Sequence, residues 1–330
     1  MFGGSMPFPV EPEFLDDRGL FVVQDPSLRS MILPLFSFDP GDPAHRPQGH
    51  GTAFRVDPWG CCVTAFHVVE DLLVVRDNAL ELRDNIRLVA LDLPQLTFGT
   101  LPVTPDRWKP FLGMSSLGGI YSPPLQDPRV MNMTELAAIW ISGPEGRQRA
   151  SSFLPLDGRW RPQAGERVMA LGFADLDLDT REEGPDRAIQ QYLYGSVGEI
   201  IEVNPVRPDS SRPWPTFRVE ADWPGGMSGG PVFNEVGHVV GLVSTGLVGG
   251  GVGTATPFAG WNIAERQLPT VDLVNPGRLK CLIAISEENE IVAFGRTEEE
   301  LAQQVGDRPI AETKFVSFDV RLGEYVSISR

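Results

Sequence analysis

Between residues 31 and 258 the apolar residues come in runs of strand length, closed by Gly, Pro, Asp or Asn. The runs include RSMILPLFSF (29–38), GTAFRV (51–56), CCVTAF (61–66), LAAIWI (136–141), ERVMALGF (166–173), SVGEIIEV (196–203), TFRVEA (216–221) and HVVGLVS (238–244). Each is rich in the β-branched and aromatic residues that fit a pleated surface. The chain holds 30 Pro and 35 Gly, and both residues interrupt helices. Asp57-Pro58-Trp59-Gly60 and Asn234-Glu235-Val236-Gly237 carry the residue types of hairpin connections. Many short strands punctuated by turns predict an all-β sandwich or barrel.

The two ends read differently. Residues 1–30 are Pro-rich and acidic and read as an irregular arm lying on the body. In the tail, LKCLIAIS (279–286) and EIVAFGR (290–296) predict two strands around a Glu287-Glu288-Asn289 turn. TEEELAQQV (297–305) predicts a helix, with Thr297 as cap and three Glu where negative charge favours a helix start. TKFVSFDV (313–320) predicts a further strand. Residues 261–330 are therefore expected to form a small α/β module of ββαβ order.

Bulk properties exclude several classes. A net charge of −16 repels phosphate backbones, so no nucleic-acid partner is expected. No stretch of 18 apolar residues occurs, so no membrane span is expected. The opening MFGGSMPFPVEPEF lacks the basic and apolar regions of a secretory signal. Cys61, Cys62 and Cys281 are odd in number, with two adjacent, which makes a poor disulfide framework. A cytoplasmic location is the expectation. No metal-ligand spacing appears, and neither a metal nor another cofactor is expected.

Two segments carry chemistry. One is Thr64-Ala65-Phe66-His67-Val68-Val69, preceded by Gly51-Thr52-Ala53-Phe54; the other is Gly225-Gly226-Met227-Ser228-Gly229-Gly230-Pro231-Val232. A serine hydroxyl is a weak nucleophile until a neighbouring base takes its proton. Imidazole titrates near neutrality, so it can serve as base and then as acid. His45 and His50 lie in a Pro/Gly-rich approach, and His238 follows a hairpin turn. His67 is the candidate base.

Together these segments resemble the trypsin-like serine proteases, in particular their bacterial, disulfide-free branch, over about residues 31–258. The resemblance implies two packed six-stranded antiparallel β-barrels. The first, 31–150, would carry His67 and an acid; the second, 151–260, would carry the nucleophile Ser228. It implies an oxyanion hole from the amides of Gly226 and Ser228, where glycines let the backbone turn both toward one point. The family's acid motif aligns best with Glu135-Leu136-Ala137-Ala138-Ile139, with Glu in place of Asp; Asp127 and Asp92 are rivals. Ser244, Thr245 and Gly246 would line the primary pocket, and Gly253 to Pro257 would close the second barrel. Asp222, six residues before Ser228, would sit at the pocket base and select Arg or Lys, or lie outside a pocket for small apolar residues. Met227 replaces the Asp that pairs with a freshly cut N-terminus in digestive relatives, so that activation route is not expected. The implied activity is endopeptidase hydrolysis of a polypeptide, such as a dedicated partner protein, through an acyl-enzyme. Alternatives are an inactive peptide-binding module of the same fold, or an esterase built on parallel βαβ units with its His after the Ser.

Overall fold

The computed structural model describes residues 8–41, 47–76, 79–92, 108–121, 124, 129–141, 152–176, 192–205, 213–246, 251–259 and 262–329. The arm supplies β1 (Leu20–Val22) and helix α1 (Pro26–Met31). Next come β2 (Ile32–Phe38), β3 (Gln48–Arg55), β4 (Cys61–Ala65), helix α2 (Phe66–Glu70), β5 (Leu73–Arg76), β6 (Ala79–Leu82), β7 (Arg87–Leu91), β8 (Trp108–Tyr121) and β9 (Arg129–Ile141). Six of these strands close into a barrel in the order β2-β3-β4-β9-β8-β7, and β5 and β6 form a separate hairpin.

A second set is β10 (Arg167–Gly172), β11 (Tyr194–Asn204), β12 (Thr216–Glu220), β13 (Pro231–Phe233), β14 (Val239–Gly246) and β15 (Gly253–Pro257). Its order is β11-β10-β13-β14-β15-β12, and pairing of β11 with β12 closes the ring. The ladders of both barrels are antiparallel, which rules out the parallel βαβ architecture of the esterase alternative. The expected double barrel is therefore the fold. Each barrel closes its own sheet and leaves few open edges.

The arm is more ordered than its composition suggests. β1 pairs with β11, Leu20 opposite Ser196 and Phe21 opposite Gly195. Leu20 and Phe21 are buried, and Phe21 lays its ring where a side chain on Gly195 would stand. β8 has no clear signal in the sequence because Pro110, Gly113, Gly118 and Gly119 break its apolar pattern. The described residues hold no helix long and apolar enough to cross a membrane.

After β15 the chain forms α3 (Asn262–Gln267), β16 (Arg278–Ile285), β17 (Ile291–Gly295), α4 (Glu298–Val305), β18 (Glu312–Asp319) and β19 (Glu324–Ser327). Thr297 caps α4 by accepting from the Glu300 amide at 3.2 Å, as the sequence predicts. The tail sheet runs β17-β16-β18-β19, one strand more than expected, because β19 is short and half polar. The first barrel's core continues into this region: Leu268, Val271 and Leu273 are buried in the same cluster as Leu33, Phe54 and Ile139. Thr270 Oγ1 donates to buried Asp57 at 2.7 Å, and Trp59 meets Phe294 edge-on at 5.9 Å between ring centroids. A chain ending at residue 260 would lose these three core side chains, at roughly 2–5 kcal/mol for each large buried aliphatic removed. It should show a markedly lower thermal midpoint by circular dichroism. An unchanged midpoint would show that the barrels do not rely on residues 268–273.

Candidate active site

Strand register brings His67 and Glu135 together. β4 runs antiparallel to β9, with Ala65 opposite Leu136. His67 lies two residues past Ala65, and Glu135 lies one residue before Leu136. α2 begins at Phe66, so His67 leaves the ladder as β4 ends. β9 bulges here. Ser116 faces Ala137 and Gly118 faces Asn132, leaving Leu117 alone opposite Met133 to Leu136. Bulges re-aim side chains, and this one turns Glu135 inward. The Leu136 carbonyl is held by Ser116 Oγ at 3.0 Å and by Gln267 Nε2 of α3 at 3.0 Å.

His67 Nδ1 pairs with Glu135 Oε1. The Glu135 side chain is only 4% exposed, whereas the His67 side chain is 33% exposed. The same carboxylate oxygen accepts from Ser244 Oγ at 3.1 Å. A carboxylate on Nδ1 fixes that nitrogen as the protonated one and leaves Nε2 to act as the base. Burial raises the pKa of neighbouring Glu70, reinforced by the charges of Asp71 and Glu135.

Ser228 lies in the turn between β12 and β13. Gly226 and Gly229 have φ of +88° and +83°, where side chains are strained. A Cβ on Gly226 would stand 2.3 Å from the Phe173 carbonyl oxygen, and one on Gly229 2.3 Å from that of Thr52. The turn is pinned internally by the Met227 amide on the Pro224 carbonyl at 3.2 Å and the Gly230 amide on that of Met227 at 2.9 Å. The Gly229 amide reaches the Val243 carbonyl of β14 at 2.7 Å. Among the described residues, the amides of Gly226 and Ser228 have no partner. Two open amides flanking a serine can receive a developing negative charge.

Barrel one holds this turn through Thr52. Its amide donates to the Ser228 carbonyl at 2.8 Å, and its Oγ1 donates to that of Gly226 at 2.7 Å. Thr52 Oγ1 also accepts from the Phe173 amide at 3.0 Å, and Thr64 Oγ1 donates to the Thr52 carbonyl at 2.8 Å. In the sequence Thr52 is only one residue of the Gly51–Phe54 motif segment. Its role as the link between barrels depends on residues more than 100 positions away, which no local pattern reports.

The remaining candidates take varied positions. Ser244, expected to line the pocket, sits at a bulge of β14 and turns its hydroxyl onto Glu135. Its carbonyl accepts from Ser228 Oγ at 3.5 Å; a Ser228–His67 bond is not formed in this rotamer. Thr245 and Gly246 continue β14, paired with Thr254 and Gly253. Asp222 lies in the electrostatic field of Arg18 from the arm, and the buried Trp223 beside it packs its indole against Gly253. Asp92 pairs with Arg55 at 3.5 Å, away from His67. Asp127 and His45 lie outside the described residues. His50 is on β3, bonded to Ser37 Oγ at 2.7 Å, and is not a loop histidine. Met227 is wholly buried among apolar residues of the second barrel. Cys61 and Cys62 are buried on β4; burial pushes the Cys62 thiol up to about 12, which makes it unreactive at neutral pH. No cluster of three or more metal-ligating side chains occurs among the described residues.

Glu135→Gln keeps the shape and removes the charge that holds His67. It should lower kcat by roughly 10²–10⁴, as loss of such a carboxylate does when it orients a catalytic histidine. Turnover within about twofold of the parent enzyme, a change worth less than 0.5 kcal/mol, would mean that Glu135 does not serve His67.

No curated protein matches the chain. Among solved structures, one similar chain is described as "Crystal structure of Deg5", at 18% identity, covering 70% of this chain and 85% of that one, with a TM-score of 0.41. A family model described as a trypsin-like peptidase domain matches residues 51–242. That match spans more than half of the sequence and both motif segments, and the chain belongs to the trypsin-like peptidase domain family.

Proposed function

We propose that the protein is a serine endopeptidase that cleaves polypeptides through an acyl-enzyme, with Ser228 as nucleophile, His67 as base and Glu135 as acid. The observation that carries this reading is the His67–Glu135 pair set beside a serine turn whose Gly226 and Ser228 amides are open. In the reaction, Ser228 Oγ rotates from the Ser244 carbonyl toward His67 Nε2 and attacks the substrate carbonyl carbon. His67 takes the hydroxyl proton as the carbon–oxygen bond forms, and Glu135 stabilises the resulting imidazolium. The two amides receive the oxyanion. The carbon–nitrogen bond then breaks, and the amine leaves with the proton from His67. Water, deprotonated by the same imidazole, releases the acyl group and restores Ser228. Each step uses side chains or main-chain amides of this chain. A dedicated partner protein as substrate and a cytoplasmic setting belong to the same proposal; three buried cysteines that form no disulfide among the described residues are consistent with a reducing compartment.

A second reading is a peptide-binding module that does not hydrolyse. It draws on the resting Ser228 rotamer, which bonds to Ser244. A fluorophosphonate separates the two, since it labels only an activated serine. The expected result is labelling of the parent protein at Ser228, with none in Ser228→Ala and hydrolysis abolished. Equal turnover in a folded Ser228→Ala variant would overturn the proposal.

Specificity follows from the surroundings of Asp222. Its carboxylate neighbours Arg18, and Trp223 fills space against Gly253 of β15. We propose a pocket for small apolar side chains. Matched peptides with Arg, Leu or Ala before the scissile bond should be cleaved with Ala or Leu preferred, and Asp222→Ala should leave the ranking unchanged. A preference for Arg that disappears in Asp222→Ala would place Asp222 at the pocket base instead.

A further inference from the structure

The serine turn carries no charged anchor of its own, because Met227 occupies the position before the nucleophile and is buried in apolar surroundings. The turn is nevertheless held from below by the segment Phe173 to Leu176. The Asp175 amide donates to the Gly225 carbonyl at 2.6 Å. Gly225 C=O and Gly226 N–H belong to one planar trans peptide, so they point in opposite directions. Fixing the oxygen on Asp175 therefore aims the Gly226 amide, one of the two open donors.

Asp175 achieves this in a left-handed conformation, φ +57°, which a non-glycine residue holds only with support. The support comes from the arm. Arg18 Nη1 donates to Asp175 Oδ2 at 2.7 Å. Arg18 is itself presented by a tight turn, in which Asp16 Oδ1 accepts the amides of Arg18 at 2.9 Å and Leu20 at 2.8 Å. The Asp16 amide meets the Leu20 carbonyl at 2.8 Å, and β1 then locks onto β11. A continuous line of bonds thus runs from the arm through Asp175 to the Gly225–Gly226 peptide. Resting on the proposed protease reading, we infer that Arg18 is a positioning residue: by clamping Asp175 it holds the Gly225–Gly226 peptide in the orientation that forms the oxyanion hole, so the N-terminal arm keeps the enzyme competent.

The test compares the full-length protein with Arg18→Ala, Arg18→Lys, Asp175→Asn and, as a surface control in the second barrel, Arg218→Ala, whose partner is Glu202 at 2.9 Å. Removing an oxyanion donor outright costs about 10²–10³ in kcat, so a misaimed donor should cost roughly 10- to 100-fold. That loss is expected in kcat for Arg18→Ala and Asp175→Asn, with KM within about threefold, since the interaction is made in the transition state. Arg18→Lys should recover most of the loss, and Arg218→Ala should match the parent. Hydrogen exchange gives a readout independent of activity: the Asp175 amide should exchange at least about 10-fold faster in Arg18→Ala than in the parent, reporting local opening. A kcat within about twofold of the parent, or unchanged Asp175 exchange, would overturn the inference. If the parent protein neither turns over peptides nor labels at Ser228, the protease reading fails, and Asp175 exchange alone decides whether the arm braces the turn.

Discussion

The arrangement depends on Thr52. One buried side chain and its main chain tie β3 of the first barrel to the second by three hydrogen bonds: two to the serine turn, at the Ser228 and Gly226 carbonyls, and one from the Phe173 amide just after β10. A hydroxyl that both donates and accepts is required here. A methyl of the same size would leave a buried carbonyl and a buried amide without partners, and each such group carries a desolvation penalty. Gly229 is part of the same constraint, since its Cβ would collide with the Thr52 carbonyl. The barrels are thus joined through the backbone of the turn that bears Ser228, and their relative placement and the position of Ser228 are one variable.

The other half of the site is set by register. Antiparallel pairing of Ala65 with Leu136 delivers His67 and Glu135 to adjoining positions, and a one-residue slip would send every side chain of β9 to the opposite face. Bulges at Met133 to Leu136 and at Ser244 then turn two polar groups inward from strands that otherwise bury apolar residues. Glu135 and Ser244 are both buried, and each satisfies the other. This satisfaction, with the bond to His67, lets a buried carboxylate stand with no arginine or lysine partner among the described residues.

What the sequence made legible is what is local. The strands at 61–66 and 136–141, the capped helix after Thr297 and the glycine-flanked Ser228 follow from residue types and spacing within a few positions. Glu135 could be singled out by alignment of a short motif, although its bond to His67 depends on barrel closure. The strand that carries Ser244 is legible in the sequence, whereas the bond of its hydroxyl to Glu135 arises at a bulge, and bulges leave little trace in composition. Arg18, Asp175 and Gln267 carry no readable signal, and Thr52 carries only its place in a motif segment. Their partners lie 157, 174 and 131 residues away for Arg18, Thr52 and Gln267, so only the folded topology shows what they hold. β8 was hidden for the opposite reason, since its glycines suggest a loop while its pairing with β9 makes a long strand.

The same geometry accommodates a glutamate at position 135, against Nδ1 of His67. The glutamate side chain is longer by one methylene than the aspartate the family pattern carries, so its carboxylate reaches further from the strand. β9 is bulged next to Glu135, and the Leu136 carbonyl is anchored there by Ser116 and Gln267. Gln267 comes from α3, immediately before the segment whose Leu268, Val271 and Leu273 complete the first barrel's core. The bulge, the longer acid and the helix after the second barrel are therefore interdependent. A shorter acid on this backbone would fall away from Nδ1. The same glutamate on an unbulged strand would have to leave its buried position, losing the Ser244 hydroxyl that satisfies its charge.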